Sequence, residues 1–180
     1  MPTIRPVEAG DIGAITAIYN TYVLNTTATF ETEAVDEAEM RRRMEDITAT
    51  HPYFVCEVEA AGKRKVVGYC YAHEWKMRTA YRHSLETTVY LDTAYCGQGL
   101  GRMLMERLID ACKDSNAHAL IACITGGNAA SEALHRKLGF KKVSHFKQVG
   151  QKFGQWLDVT DYELTFPELA PPHDTLLPEI

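Results

Sequence analysis

The sequence predicts an α/β domain in which helices and strands are interleaved around one mixed sheet. Three observations carry that expectation. Apolar residues recur at helical spacing in some segments and alternate in others, giving the order βααβββαβαββ. A chain of 180 residues at 46% hydrophobic has enough apolar material for one full core. An alternating, β-branched segment, Glu86-Thr-Thr-Val-Tyr-Leu-Asp92, also runs through a glycine-rich turn, Cys96-Gly-Gln-Gly-Leu-Gly101, straight into an amphipathic helix.

Taken in order, residues 3–7 read as a short extended start. Asp11 is placed to cap a helix through about Val23, with Ile12, Ile15, Ile18, Tyr19 and Tyr22 on one face. The loop 24–31 has no clear periodicity. Asp36 with Glu39 resembles a capping box and starts a second helix to about Ile47, and Pro52 closes that region. Three strands follow, over 53–60, 66–75 and 84–92, the first two joined by a tight link over 61–65. The helix after the glycine turn carries Leu100, Leu104, Leu108 and Cys112 at i+4 spacing, with Met103 and Ala111 beside them, and ends near Asp114. Residues 119–124 form a buried strand, and Asn128 opens a short helix to Leu138 with Gly139 as its C′ residue. Two last strands, about 142–148 and 155–165, flank a turn over 150–154. The domain is therefore expected over residues 1–166, with a proline-bearing tail over 167–180.

Composition removes several classes of function. A net charge of −5 argues against nucleic-acid binding, which calls for a basic patch. The basic run Arg41-Arg42-Arg43 reads as a solvated helix face. No apolar stretch approaches the ~20 residues that cross a membrane, and Met1-Pro-Thr-Ile-Arg-Pro6 lacks an apolar signal core. The five cysteines are odd in number and have no C-x-x-C spacing, and the seven histidines have no metal-ligand spacing. Reduced thiols, no metal, and a soluble cytoplasmic protein are expected.

The strand, glycine turn and helix start together form an anion site, because backbone N–H groups converge there. A dinucleotide fingerprint, G-x-G-x-x-G, fails by one position: glycines stand at 97, 99 and 101, and Arg102 occupies the place the last glycine would need. The G-x-x-x-x-G-K-[ST] of a nucleotide P-loop is absent. The remaining common user of such a site is the pyrophosphate of coenzyme A. These residues resemble the GCN5-related N-acetyltransferase (GNAT) family, whose [QR]-x-x-G-x-[GA] motif is matched by Gly99 and Gly101, although Cys96 stands where Gln or Arg is usual. A second signature is similar too: Asn128-Ala-Ala-Ser131, then a helix carrying Leu134, His135 and Leu138, then Gly139-Phe140. The resemblance covers about residues 2–166. It implies a three-layer fold whose mostly antiparallel sheet is splayed at an acetyl-coenzyme A site, with a bulge near Val89, Tyr90 and Leu91.

Finer matches resemble the phosphinothricin and methionine sulfone/sulfoximine N-acetyltransferase branch. They comprise Ile18-Tyr19-Asn20 with Ala28-Thr29-Phe30-Glu31, Arg78-x-Ala80-Tyr81-Arg82 before Glu86, and Val149-Gly150-x-Lys152-x-Gly154-x-Trp156-x-Asp158. The resemblance implies acetyl-CoA as co-substrate and a small amino-acid-like acceptor in a homodimeric enzyme. It assigns the cofactor to Val89, Tyr90, Leu91, Gly97, Gln98, Gly99, Leu100, Gly101, Arg102, Asn128 and Ser131. The acceptor falls to Phe30, Trp75, Met77, Arg78, Tyr81, Glu86 and Thr87. Arg78 offers a planar fork for a carboxylate. Glu86 is the expected general base for an α-amine that is protonated at neutral pH, and His135 the expected acid for the departing thiolate. Direct attack in a ternary complex is expected. Acetylation of a peptide or protein, and a non-catalytic acyl-CoA sensor, are the alternatives.

Overall fold

Burial sorts the patterned segments into layers. A computed structural model describes residues 1–166, and the expected tail, 167–180, lies outside the described residues. Strand β1 (Thr3–Pro6) leads to helices α1 (Ile12–Asn25) and α2 (Glu37–Thr48). Strands β2 (Tyr53–Ala60), β3 (Lys63–Glu74) and β4 (Ser84–Leu91) precede α3 (Leu100–Lys113). Then come β5 (Ala119–Thr125), α4 (Ala129–Lys137), β6 (Lys141–Lys142), β7 (Phe146–Lys152) and β8 (Gln155–Thr165). The eight strands form one sheet in the order β1-β2-β3-β4-β5-β8-β6, with β7 also on β8. All pairs are antiparallel except β4 with β5.

Each face of the sheet carries its own core. Against one face α3 buries Leu100, Leu104, Met105, Leu108, Ile109 and Cys112, packed with Val67, Leu120 and Phe140. Because Leu104 and Leu108 are fully buried, truncating either to Ala costs about 2–5 kcal/mol. Against the other face α1 and α2 place Ile12, Ile15, Val23, Met40 and Met44 on Val55 and Tyr69. Asp36 caps α2 by accepting the Glu39 N–H at 2.8 Å, as its spacing predicts. The result is three layers, helix on sheet on helix.

Four local expectations are corrected. The link over 61–65 tightens to Ala61 and Gly62, and the turn over 150–154 to Phe153 and Gly154, because Ala60 pairs Lys63 and Lys152 pairs Gln155. Both turns place two residues at positive φ (49° and 75°; 51° and 73°), the conformation that follows the right-handed twist of the flanking strands. The strand expected over 142–148 divides into β6 and β7. Between them Ser144 Oγ donates to Asp161 Oδ2 (2.8 Å) and accepts the Asp161 N–H (3.1 Å), replacing ladder bonds with side-chain ones. Finally, β4 has no bulge: its register with β3 runs unbroken from Leu85 opposite Glu74 to Leu91 opposite Gly68. The sheet opens by a different route, on the other edge of β4.

Candidate active site

The parallel pair β4–β5 is short. Only Ser84, Leu85 and Glu86 pair, with Ala119, Leu120 and Ile121. One side-chain tie extends the contact, Thr87 Oγ1 donating to the Ile121 carbonyl at 3.3 Å. Beyond it the strands part, and their facing edges, Thr87–Leu91 and Ala122–Thr125, become two walls of a cleft of about 720 Å³. One edge of β4 stays bound to β3 while the other is left unpaired, so an extended amide-bearing arm can join it as an added strand. Val89, Tyr90 and Leu91 lie on that unpaired stretch and line the cleft. The side chain of Tyr90 is occupied elsewhere, packed on the rings of Tyr19, Tyr22 and Tyr69.

The glycine turn closes one end of the cleft. Gly97 and Gly99 have φ of 76° and 83°, and a Cβ on either would meet nothing within 4 Å. Here glycine is needed for conformation, and the turn faces open space. The first bond of α3 runs from the Met103 N–H to the Gly99 carbonyl at 3.1 Å. The N–H groups of Gly101 and Arg102 precede it and have no intrahelical acceptor, which makes this helix start a donor site for an anion. Gly97, Gly99, Gly101 and Arg102 line the cleft, with the Arg102 Nε on Glu106 at 2.7 Å. Two expected cofactor residues do not line it through their side chains. Leu100 is buried in the α3 core, and Gln98 folds back to donate to the Ala94 carbonyl at 3.4 Å. Cys96 is exposed and lines the cleft, its Sγ 4.0 Å from the Tyr22 hydroxyl, which itself donates to the Leu91 carbonyl at 2.8 Å.

Helix α4 forms the opposite wall through Asn128, Ala130, Ser131, Ala133, Leu134, His135 and Lys137. Asn128 Oδ1 accepts the Ser131 N–H at 3.2 Å, so it is a helix cap as well as a cleft residue. His135 is 3% exposed and lies edge-on to Phe140. Its Nδ1 is 2.8 Å from the Ser131 carbonyl, a group that only accepts, so the proton sits on Nδ1. Burial lowers the imidazole pKa and keeps the ring neutral. Nε2 is then a buried acceptor with no hydrogen-bond partner. That arrangement opposes the acid role expected for His135, since Nε2 holds no proton to hand to a thiolate.

Glu86 lines the cleft as the last residue of the β4–β5 ladder. It is half-buried, and desolvation raises its pKa, while His73 and a hydrogen bond from Cys123 pull it back and Asp161 pushes it up further. The sheet register explains this company. His73 lies opposite Glu86 on β3, Cys123 follows Ile121 by two on β5, and Asp161 lies opposite Cys123 on β8. All four project from one face, the face that carries α1 and α2. Desolvation first, then Glu86 and Asp161, lift the Cys123 thiol well above its ordinary range, so it is protonated and donates. None of these three neighbours was singled out from sequence. The signal that would have found them is the two-residue alternation along β5 and β8, read together with the pairing.

The loop 26–31 bounds the cleft through Ala28, Thr29 and Phe30. Of the expected acceptor set, Thr87 also lines the cleft, whereas Trp75, Met77, Arg78 and Tyr81 lie outside the lining residues, on segment 75–82 beyond β3. That segment is closed at its base by the Trp75 N–H to the Ser84 carbonyl, 3.2 Å, two residues from Glu86. Trp75 and Tyr81 meet edge-on at 5.4 Å with Lys76 over both rings, while Met77 and Arg78 are exposed. Thr87 is buried by its bond to Ile121. Lys137 joins Arg102 as a cation on the cleft wall, and with Ala130, Ala133 and Leu134 it follows the i, i+3, i+4, i+7 spacing of one helix face, legible in the sequence.

An unpaired strand edge beside an open amide-rich turn fits coenzyme A, and the comparisons with known proteins agree. Residues 4–160 match the model of the acetyltransferase (GNAT) domain. The chain is 39% identical over 170 residues to the L-methionine sulfoximine/L-methionine sulfone acetyltransferase of Salmonella typhimurium, covering 94% of this chain and 98% of that one. A GNAT superfamily phosphinothricin acetyltransferase from Sinorhizobium meliloti, solved with acetyl-CoA, superposes with a TM-score of 0.90 at 36% identity, covering 98% of this chain and 96% of that one. A ribosomal-protein-alanine N-acetyltransferase from Brucella melitensis superposes at 0.86 and 38% identity, covering 91% and 99%. The chain belongs to the GNAT acetyltransferase family, enzymes that use acetyl-CoA.

Proposed function

We propose that the acceptor is the α-amine of a small amino acid or analogue, with phosphinothricin, methionine sulfone and methionine sulfoximine as first choices. The observation that supports this most is the setting of Glu86. A half-buried carboxylate of raised pKa stands at the fork of β4 and β5, in a cleft bounded by Thr29 and Phe30. When bound, acetyl-CoA supplies an activated acyl group on a thiol that is a fair leaving group. Glu86, directly or through one water, takes the proton that an ammonium acceptor must lose before it can attack. The freed amine attacks directly, forming the C–N bond as the C–S bond breaks, and its second proton passes to the departing thiolate, which leaves as the thiol. A β4 amide, at Leu91 or beside it, donates to the carbonyl oxygen as charge builds. His135, neutral and unprotonated at Nε2, is an acceptor for a cofactor N–H or S–H.

For the acceptor's carboxylate we assign Arg78, with Trp75, Met77 and Tyr81 of the same segment and Phe30 as its surroundings. The glycine turn, Asn128 and Ser131 hold the cofactor in this reading. The exposed apolar side chains Val143, Phe146, Val149, Phe153 and Trp156 cluster on β7, β8 and the segment before β7, which supports a homodimer formed through this hairpin. Five free cysteines support a reducing, cytoplasmic setting, and no helix among the described residues is long and apolar enough to cross a membrane. A second reading, acetylation of a peptide N-terminus, is supported by the exposure of Met77 and Arg78 beside the acceptor end.

The deciding experiment is thiol release from acetyl-CoA across methionine sulfone, methionine sulfoximine, phosphinothricin, the standard amino acids, polyamines and short peptides. Turnover confined to small amino acids and analogues supports the reading. Turnover of peptides alone favours the second. Silence with acetyl-CoA still bound overturns both and leaves an acyl-CoA sensor.

A further inference from the structure

The loop 26–31 has no regular structure, yet it supplies Ala28, Thr29 and Phe30 to the cleft. Its own bonds are short-range: the Ala28 N–H to Thr26 Oγ1 and the Glu31 N–H to Thr29 Oγ1. Something else must fix its shape. The Thr26 N–H and Oγ1 hold its first residue on the Tyr22 carbonyl, and beyond it two ties reach back to the helices, Tyr19 Oη to Thr29 Oγ1 at 3.1 Å and Arg43 to Glu31 at 2.6 Å. The third comes from the far end of the chain. Lys152 on β7 is 2% exposed, and its Nζ donates to the Thr29 carbonyl at 2.8 Å. Among the described residues this carbonyl is its one hydrogen-bond acceptor. Desolvation disfavours the buried ammonium and Glu31 favours it. A buried cation spent on one loop carbonyl is costly unless that contact is needed.

Two residues earlier on the same strand, Gly150 meets the same loop. A Cβ at Gly150 would stand 2.2 Å from Cε2 of Phe30, so the ring lies on the bare Cα. Gly150 and Lys152 share one face of β7, whereas Val149 and Phe153 are exposed. One strand face therefore docks the loop twice, by a ring against a glycine and by an ammonium on a carbonyl.

We propose that Lys152 and Gly150 are positioning residues that hold loop 26–31, and with it Phe30, in the shape that receives the acceptor. This rests on the reading of the Glu86 end of the cleft as the acceptor site. Neither residue touches the reacting atoms. Their effect is confined to one side of the cleft, because the glycine turn and α4 are held by other contacts.

The test uses the full-length enzyme. Lys152→Met should raise the KM for the best acceptor by about tenfold, the weight of a hydrogen bond to a charged group. Its kcat should change less, and its acetyl-CoA dissociation constant should stay within about twofold, well short of the weight of such a bond. Amide hydrogen exchange at 29–31 should speed up while that of β4 stays unchanged, a readout independent of turnover. Gly150→Ala should raise the acceptor KM through its clash with Phe30, and Phe30→Leu in that background should recover part of the loss. If Lys152→Met does not fold, the Gly150→Ala pair decides alone. Unchanged acceptor KM and unchanged exchange would overturn the proposal. So would equal losses in acceptor and acetyl-CoA affinity, which mark a structural role only. If the wild type acetylates no small amine while exchange at 29–31 still responds to Lys152→Met, the acceptor reading fails and the loop's dependence on Lys152 stands.

Discussion

The two ends of the cleft are built by different means. The end proposed for the cofactor is backbone: an unpaired edge of β4, two glycines at positive φ, and helix N–H groups ahead of the first intrahelical bond. The end proposed for the acceptor is side chain, drawn from a loop before α2 and from four strands around Glu86. Backbone sites need a local conformation, which a short motif can encode. Side-chain sites need distant segments brought together, and they are sensitive to each neighbour. The difference teaches that the two ends should fail separately.

The largest effect should come at the acceptor end. Glu86→Gln keeps the shape and removes the proposed base, and kcat should fall by about 10²–10⁴. Its acetyl-CoA dissociation constant, measured by calorimetry, should not move. A loss of acetyl-CoA affinity would mean the two ends are not separable. The wild-type rate should rise with pH through the pKa of Glu86, which lies above the ordinary carboxylate range because of burial. Next comes the reciprocal change. Gly99 caps α3 at φ 83°, and Gly99→Ala forces an L-residue into the left-handed region at roughly 1–2 kcal/mol. Acetyl-CoA should then bind about 5–30-fold more weakly by the same strain, with the acceptor KM at saturating acetyl-CoA unchanged.

The same contrast explains what could be read in advance. The glycine turn, the Asn128 cap and the element order as far as α4 follow from local spacing, and the structure has them where the residues stand. Leu100 was grouped with the cofactor residues because it sits inside the motif, but its side chain continues the Leu104–Leu108 stripe into the core. A bulge expected in β4 was not needed, because the sheet opens where β5 leaves β4 after Ile121. Divergence between strands that are distant in sequence leaves no mark in either one. Cys123 and Asp161 carry no local signal for the same reason, and Lys152 stands in a matched stretch that does not show what it touches. Each matters through residues 37, 75 or 123 positions away, and no local pattern records that.

Smaller effects sharpen the comparison. At the cofactor end, His135→Gln should cost less than about tenfold in kcat, because a neutral ring whose proton is on Nδ1 does no acid work. A loss approaching the hundredfold of true acid catalysis would restore the acid role. The wild-type pH profile should likewise lack a basic limb that disappears in this variant.

The smallest effect concerns sign more than size. Four groups face one another at the acceptor end: Glu86 from β4, His73 from β3, Cys123 from β5 and Asp161 from β8. The Cys123 thiol has both Asp161 and Glu86 as acceptors and favours the charged form of Glu86, whereas Asp161 repels that charge. Cys123→Ala removes the donor and should carry the acid limb of the kcat/KM profile to higher pH. Asp161→Asn removes the repulsion and should carry it to lower pH, although it also alters the bond from Ser144 Oγ. Opposite shifts, with the acetyl-CoA dissociation constant unaltered in both, would mean that Glu86 is tuned by its sheet neighbours. Shifts of the same sign would point instead to a general loosening of β5 and β8. No shift in either would mean that burial alone sets the base.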